Sequence, residues 1–284
     1  MVSMGGFSMI SRITGILASS RDSGGYDPDA QAFITAVGTL TTAQEIAIND
    51  LVLAMKSAGV WAKGIAYYPM VGGSASAHKW NLFDPRDLDA AFRGVFVGGW
   101  THNTNGAQGN GTTGALNTFV IPNTHLTENS VSMVYSSGTS ASINKPNMGT
   151  QGNASIPSMT LYIRFGGVLY SDMHNYSTGR TSGTVASGDD VFINSRTASN
   201  VHKVYKGGSQ VGSTNTGAAM PGGYTFSDFD EPIAISAIRN FASSIYDGYN
   251  SAVCNGSGIF TGMSDTEVSD LSTAINNFNT ALSR

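Results

Sequence analysis

The sequence predicts a mainly β protein: an antiparallel sandwich with an N-terminal helical hairpin and a closing C-terminal helix. Three observations lead there. After Trp61, short apolar runs broken by Gly, Asn and Ser follow one another: GIAYYPMVGG, RGVFVGGW, LNTFVIP, SVSMVYSS, SMTLYIRFGGVLYSDM, DDVFINSR and EPIAISAI. Turn-separated runs of this length are strands of a sandwich or barrel, because a βαβ fold would interleave helical periodicity. Composition agrees, with 35 glycines and only 12% charged residues, about half the ~25% of an ordinary soluble domain. The third observation is local. In HKVYKGGSQVGS, Gly207 and Gly208 separate two short alternating runs, and two glycines reach the positive φ angles of a tight hairpin turn.

Residues 1–26 form an arm or linker that ends in the polar stretch SSRDSGGY. Ile10, Ile13, Ile16 and Leu17 are spaced for a short amphipathic helix on a partner, and a partly ordered tail is the other reading at this length. Residues 27–60 read as a helical hairpin. Asp27 and Pro28 make an N-cap and first-turn pair, Ala30, Phe33, Ile34 and Val37 share one face, and Gly38 is the stop. A second helix is expected from Thr42, with Glu45 completing a capping box, through Ile48, Leu51, Val52 and Met55 to Gly59. Residues 61–284 are the sandwich and its closing helix, which begins at Ser264 and Glu267 and carries the stripe Val268, Leu271, Ile275, Phe278 and Leu282. No repeat of about 20–50 residues suggests a solenoid or propeller.

Charge and cysteine usage exclude whole classes. The formal net charge is −4, and the 15 Lys and Arg are scattered from Arg12 to Arg284 without a basic run, so no nucleic-acid groove is expected. Cys254 stands alone, which excludes an intrachain disulfide, a CxxC pair or a Cys-rich zinc site and suits a small buried residue. No stretch approaches the ~20 apolar residues of a membrane span, and MVSMGGFSMISRITGILASS has no continuous secretory core, so the chain is expected in the cytoplasm until it assembles.

Candidate chemistry is sparse. A glycosidase needs two carboxylates about 5–9 Å apart. Of the four glutamates, Glu45 and Glu267 fit capping boxes, and Glu128 and Glu231 sit in loop-like THLTENS and DFDEP. Asp84, Asp87 and Asp89 lack the alternating ligands of a calcium loop, so Asp84 is expected to open a turn before Pro85 and Asp87 to cap a short DLDAAF helix. Asp189 and Asp190 read as a solvated turn. His78, His102, His125, His174 and His202 show no HxxxH or HxH spacing, no GxSxG elbow is present, and NTNGAQGNGTTG lacks the GK[ST] of a phosphate loop and reads as a long mobile loop. No catalytic residue, metal ligand or cofactor site is therefore expected. Trp100, Tyr170 and Tyr176 are candidates for stacking on sugar rings, against core packing as the simpler role.

The segment DPDAQAFITAVGTLTTAQEIAINDLVLAMKSAGVWAKGIAYYPMVGGSASAHKWNLFDPRDLDAAFRGVFVGGWTHNTNGAQGNGT, roughly residues 27–113, resembles virion structural proteins of tailed phages and prophages, which carry a helical pair, a YPxVGG…HKxNLxDPRDLDAAF block and a jelly-roll domain. The HKVYKGG turn is similar to that of concanavalin A-like, or laminin-G-like, sandwiches, with Gly207 where those have Asn. The resemblance implies a concanavalin A-like jelly roll in a tail, fibre or head-surface protein of a virion. It implies other virion proteins as partners and a host-surface glycan as a ligand, while low charge, the N-terminal arm and the striped C-terminal helix suit a homo-oligomer. A lectin-like carbohydrate-binding module is the alternative, and a polysaccharide hydrolase a distant third.

Overall fold

Asp27 starts the first helix as its chemistry requires. Its carboxylate accepts the Asp29 N–H, Pro28 fills the first turn, and α1 (Pro28–Val37) ends at Gly38. The structure, a computed structural model, describes residues 25–152, 157–217, 220–240 and 245–284; Ile10, Ile13, Ile16 and Leu17 lie outside these. In α2 (Thr42–Ser57) the cap falls one residue earlier than expected. Thr41 accepts from the Gln44 N–H while Gln44 accepts from the Thr41 N–H. The tandem threonines offer both registers, and the earlier one adds a helical residue. Glu45 instead accepts the Tyr26 hydroxyl. One-turn α3 (Ala75–His78) and α4 (Pro122–His125) sit in connections. The closing helix α5 (Asp265–Ala281) has the expected Ser264–Glu267 capping box and buries Val268, Leu271, Ile275 and Phe278.

The described strands form two sheets. Sheet A holds β1 (Gly64–Tyr68), β3 (Trp100–Asn103), β4 (Gly106–Gly109), β6 (Val131–Ser137), β11 (Asp190–Ala198), β12 (Val201–Lys206), β13 (Ser209–Asn215) and β17 (Val253–Phe260). Its order is β13-β12-β11-β6-β17-β4-β3, with β1 also on β17. Sheet B holds β2 (Val95–Val97), β5 (Ala115–Asn117), β7 (Met148–Gln151), β8 (Ser158–Phe165), β9 (Val168–Met173), β10 (Asn175–Thr184), β14 (Ala234–Ile235), β15 (Ile238–Asn240) and β16 (Ile245–Asp247). Its order is β10-β9-β8-β7-β14-β5-β2, and the β7–β15 pair is parallel. The mainly β antiparallel sandwich with helical hairpin and closing helix is thus present.

Burial explains the layering. Between the sheets, Tyr68, Met133, Tyr135, Phe192 and Ile259 of sheet A meet Met148, Met159, Leu161, Ile163 and Leu169 of sheet B. On the other side of sheet A, Tyr67, Val134, Val191, Ile193, Tyr205 and Phe260 meet Phe33, Ile48, Leu51, Met55, Leu271, Ile275 and Phe278 of the helices. Sheet A is therefore apolar on both faces, and every residue of β6 is buried. The three long helices all lie on sheet A, so no described helix covers the outer face of sheet B over β8, β9 and β10, where Phe165, Arg180 and Ser182 are exposed.

The seven apolar runs all contain strands, but β17 was not among them. Its sequence VCNGSGIF hides a central strand behind glycines. A side chain at Gly256 would place its Cβ 2.6 Å from the Tyr67 hydroxyl, and one at Gly258 would lie 2.6 Å from the Ala66 carbonyl. Close approach, not hydrophobicity, selects these residues. At the β12–β13 hairpin, Gly207 and Gly208 adopt φ of 56° and 83°, the left-handed pair such a turn demands. The Gly-rich segment after Asn103, expected as a mobile loop, instead closes the β3–β4 hairpin and a turn in which Asn110 Oδ1 accepts the N–H groups of Thr112, Thr113 and Gly114.

The segment that joins β1 of sheet A to β2 of sheet B is built around Asn81, 1% exposed. Its Oδ1 accepts from the Tyr67 and Phe83 N–H groups, and its Nδ2 donates to the Ile65 and Ala91 carbonyls. Asp87 caps no helix: the turn at Asp89–Ala91 has Leu88 before it. Asp87 instead pairs with Lys79 and Arg93, Asp84 with Arg86 and Asp89 with Arg93. Two nearby cations outcompete the single orphan N–H of a one-turn helix. The HKxNLxDPRDLDAAF block thus serves as a hydrogen-bonded crossover between sheets.

Along one side the sandwich is stapled. Thr181 of β10 donates its hydroxyl to the Ser213 carbonyl of β13, and Asn215 Nδ2 donates to the carbonyls of Thr178 and Arg180. Nearby, a buried network joins the sheets. The Asn194 Nδ2 donates to Ser171 Oγ at 2.6 Å, and Ser171 lies 3.2 Å from His202 Nε2. His202 Nδ1 faces the Gly179 carbonyl at 3.1 Å, so it carries the proton and Nε2 accepts from Ser171.

Two predictions follow from this packing. Asn81→Ala strands several buried backbone groups and should lower the unfolding free energy by about 2–4 kcal/mol, read from urea midpoints. Burial pushes the pKa values of His202 and His78 down to about 3. Between there and the ordinary histidine value the unfolded chain binds more protons than the folded one. Stability should therefore be full above about pH 6.5 and fall progressively as pH is lowered toward 3. A urea midpoint unchanged between pH 7.5 and 4.5 would contradict this.

Candidate functional site

The open face of sheet B places side chains in rows, because antiparallel partners stand side by side. Tyr162 of β8 pairs with Tyr170 of β9, and Tyr170 with Ser182 of β10. The adjacent row is Thr160, Asp172 and Arg180. Phe165, at the β8–β9 turn, stands nearly perpendicular to both tyrosines, with centroids 6.1 Å from Tyr162 and 6.2 Å from Tyr170. Tyr162, Phe165, Tyr170 and Arg180 line a cavity of about 290 Å³.

Charge in this cavity is held by a buried anchor. The Asp172 side chain is 3% exposed and receives Arg180 through both oxygens, Nε to Oδ1 at 2.7 Å and Nη2 to Oδ2 at 2.9 Å. Thr160 donates its hydroxyl to Oδ2 at 2.9 Å. The carboxylate raises the Arg180 pKa further, and the guanidinium lies over the Tyr170 ring at 5.1 Å. Burial raises the Tyr162 phenol, with the charge of Asp172 adding to it and Arg180 opposing. The cavity therefore offers two phenol hydroxyls, aromatic faces and an oriented guanidinium. Such a site can pack an apolar ring face and hydrogen-bond its hydroxyl edge.

Of the three aromatic candidates, the structure brings only Tyr170 into this cavity. Trp100 packs against Phe96 and His102 and donates its indole N–H to the Val97 carbonyl. Tyr176 is exposed on β10, away from the cavity lining. Tyr162, Phe165 and Arg180 were missed. The period-two alternation of SMTLYIRFGGVLYSDM put Tyr162 and Tyr170 on one face, but nothing in it showed which face would be left open.

The other candidates fall to structural roles. Glu267 caps α5 and pairs with Lys63, and Glu231 pairs with Arg239. The histidines are not all isolated as the sequence suggested: His78 and His102 face each other Nδ1 to Nδ1 at 3.0 Å. The Gly73 N–H donates to His78 Nε2, so the proton between them is carried by His78 Nδ1. The Ser171–His202 contact is sealed, with both residues 0% exposed. Cys254 is buried, its thiol pKa pushed up to about 12 by burial. No group of three or more His, Cys, Asp or Glu side chains that could hold a metal occurs among the described residues. No described helix is long and apolar enough to cross a membrane.

A larger cleft, about 510 Å³, lies between the end of α5 and sheet A and includes Asp189, Asp190, Lys206, Asn279 and Arg284. Among the described residues no aromatic ring lines it, and its polar groups are largely committed to the fold. Arg284 donates to the carbonyls of Pro69, Met70 and Asn255 and to Asn279, Asn279 to Ser136, and Asn276 to Asp190. It reads as the seam that fixes α5 to the sheet.

No protein-family model matches the chain, and no curated protein does. Among solved structures it is similar to domain 4 of AbnA, a GH43 extracellular arabinanase from Geobacillus stearothermophilus, in complex with arabinotriose. That match has 16% identity over 74% of this chain and 98% of the other, at a TM-score of 0.46. A Ruminococcus gnavus IT-sialidase CBM40 bound to α2,3 sialyllactose matches at 12% identity over 50% and 81%, TM-score 0.37. The binding domain of botulinum neurotoxin DC with rat synaptotagmin II matches at 11% identity over 76% and 52%, TM-score 0.48. These are likenesses of chain course and assign no site to this protein.

The anchor and the platform should separate in stability measurements. Phe165, 45% exposed, should tolerate replacement by Ala within about 0.5 kcal/mol. Arg180→Ala leaves the buried Asp172 carboxylate with Thr160 alone and should cost about 2 kcal/mol, below the range for fully buried pairs because Arg180 is partly solvated. Equal urea midpoints for the two variants would refute that division.

Proposed function

We propose that this chain is a non-catalytic glycan-binding component of a phage or phage-like particle. The observation that carries the reading is the aromatic cavity of Tyr162, Phe165 and Tyr170, with its oriented Arg180, on the sheet face that the helices leave uncovered. A pyranose or furanose presents an apolar C–H face and a polar rim, which aromatic rings and a fixed guanidinium complement. Catalysis has no comparable support. Among the described residues no carboxylate lines the cavity, and both oxygens of the neighbouring Asp172 are engaged, so this cavity offers no acid and base pair of the glycosidase kind.

The particle half of the proposal rests on the resemblance of residues 27–113 to virion proteins. The helical layer would meet neighbouring subunits while sheet B faces outward. Head-surface, tail and fibre positions all fit this arrangement, as do a homo-oligomer and contact with a host-surface glycan.

The recombinant chain should bind a subset of glycans on an array. Phe165→Ala and Tyr170→Ala should each weaken that binding roughly tenfold, about 1.4 kcal/mol, and Phe165→Ala should do so with an unchanged melting temperature. Absence of glycan binding, or binding indifferent to both substitutions, would sink the recognition role. Peptides of this chain should appear in purified particles at several copies each, and their absence would remove the structural role.

A further inference from the structure

We infer that the cavity selects uncharged sugars over carboxylated or sulfated ones, a deepening that rests on the glycan reading above. An exposed arginine beside aromatic rings would ordinarily suggest an anionic ligand. Here the charge of Arg180 is already cancelled. Asp172, 3% exposed, holds the guanidinium in a fork with contacts of 2.7 and 2.9 Å. An incoming carboxylate would share the guanidinium with a buried, Thr160-supported one that cannot move aside.

Arg164 shares the outer face of β8 with Tyr162 and directs its Nη1 to the Ser140 carbonyl. Asp247 of β16 lies close enough for its charge to act on the Tyr162 phenol. With Arg180 matched by Asp172 and with Asp247 near Tyr162, an anion entering the cavity gains no net attraction while losing its hydration. Arg180 keeps donors for a ligand. Its Nε–H and one Nη2–H are occupied by Asp172, whereas Nη1 has no partner among the described residues. The remaining N–H groups, with the Tyr162 and Tyr170 hydroxyls, match the lone pairs and protons of sugar hydroxyls. A carboxylate reaching the same donors would meet a guanidinium whose charge Asp172 already offsets.

Matched sugars that differ only in the oxidation of one carbon give the test. Galactose and galacturonic acid, and glucose and glucuronic acid, would be titrated as methyl glycosides or as array oligosaccharides into the full chain. The neutral member should bind roughly tenfold tighter, about 1.4 kcal/mol. Its affinity should change less than about twofold between 50 and 500 mM NaCl, since no net charge is screened. Asp172→Asn should narrow or reverse the preference by releasing the guanidinium; should that variant not fold, the wild-type salt series decides. Tighter binding of the uronic acid, or a several-fold salt weakening, overturns the neutral-sugar inference while the glycan reading stands. Failure of every glycan to bind overturns both.

Discussion

Burial of sheet A on both faces is the constraint on which the rest of the structure depends. A lone antiparallel sandwich alternates apolar and polar residues along each strand. Here β6, β11 and β17 contact the sheet B core on one side and α1, α2 and α5 on the other. The helical hairpin and the closing helix are therefore a third layer of the protein. Removing it would expose Tyr67, Val134, Ile193, Tyr205 and Phe260 together. It also decides which surface is available, because the helices cover one sheet and so define the other as the open one.

Much of this was legible in the sequence where local chemistry settles the structure. Asp27–Pro28, Ser264–Glu267 and Gly207–Gly208 each specify a cap or turn within a few residues, and each is found where the pattern puts it. Thr41 against Thr42 is a one-residue slip between equivalent hydroxyls. The misses are non-local. Strand β17 carries glycines because Tyr67 crosses it, and that crossing exists only after residues nearly two hundred apart in sequence have met. The three-acid DPRDLD segment looked like a turn and a cap, yet Lys79 and Arg93 arrive from either side to take Asp87.

The site shows the same limit. Tyr162 and Tyr170 lie in an alternating run, but their partner Arg180 sits in NYSTGRTSGT, which has no apolar rhythm to mark it as a strand. The pairing of Arg180 with Asp172 is created by strand register. Once made, it turns two ionisable residues into a fixed pair without net charge, with the carboxylate buried and the guanidinium laid along an aromatic ring. Rigid donors of that kind lower the entropic cost of ordering a side chain on binding.

The staple between β10 and β13 reaches further than local stability. Edge strands with free carbonyls are templates for another chain, and proteins that assemble in many copies run that risk at high local concentration. On this side the carbonyls of Thr178, Arg180 and Ser213 are taken by Asn215 and Thr181 of the same molecule. Another chain that approached this flank would meet occupied backbone at these carbonyls, which narrows the scope for polymerisation by strand exchange there and would shift any association toward side-chain surfaces with a fixed geometry.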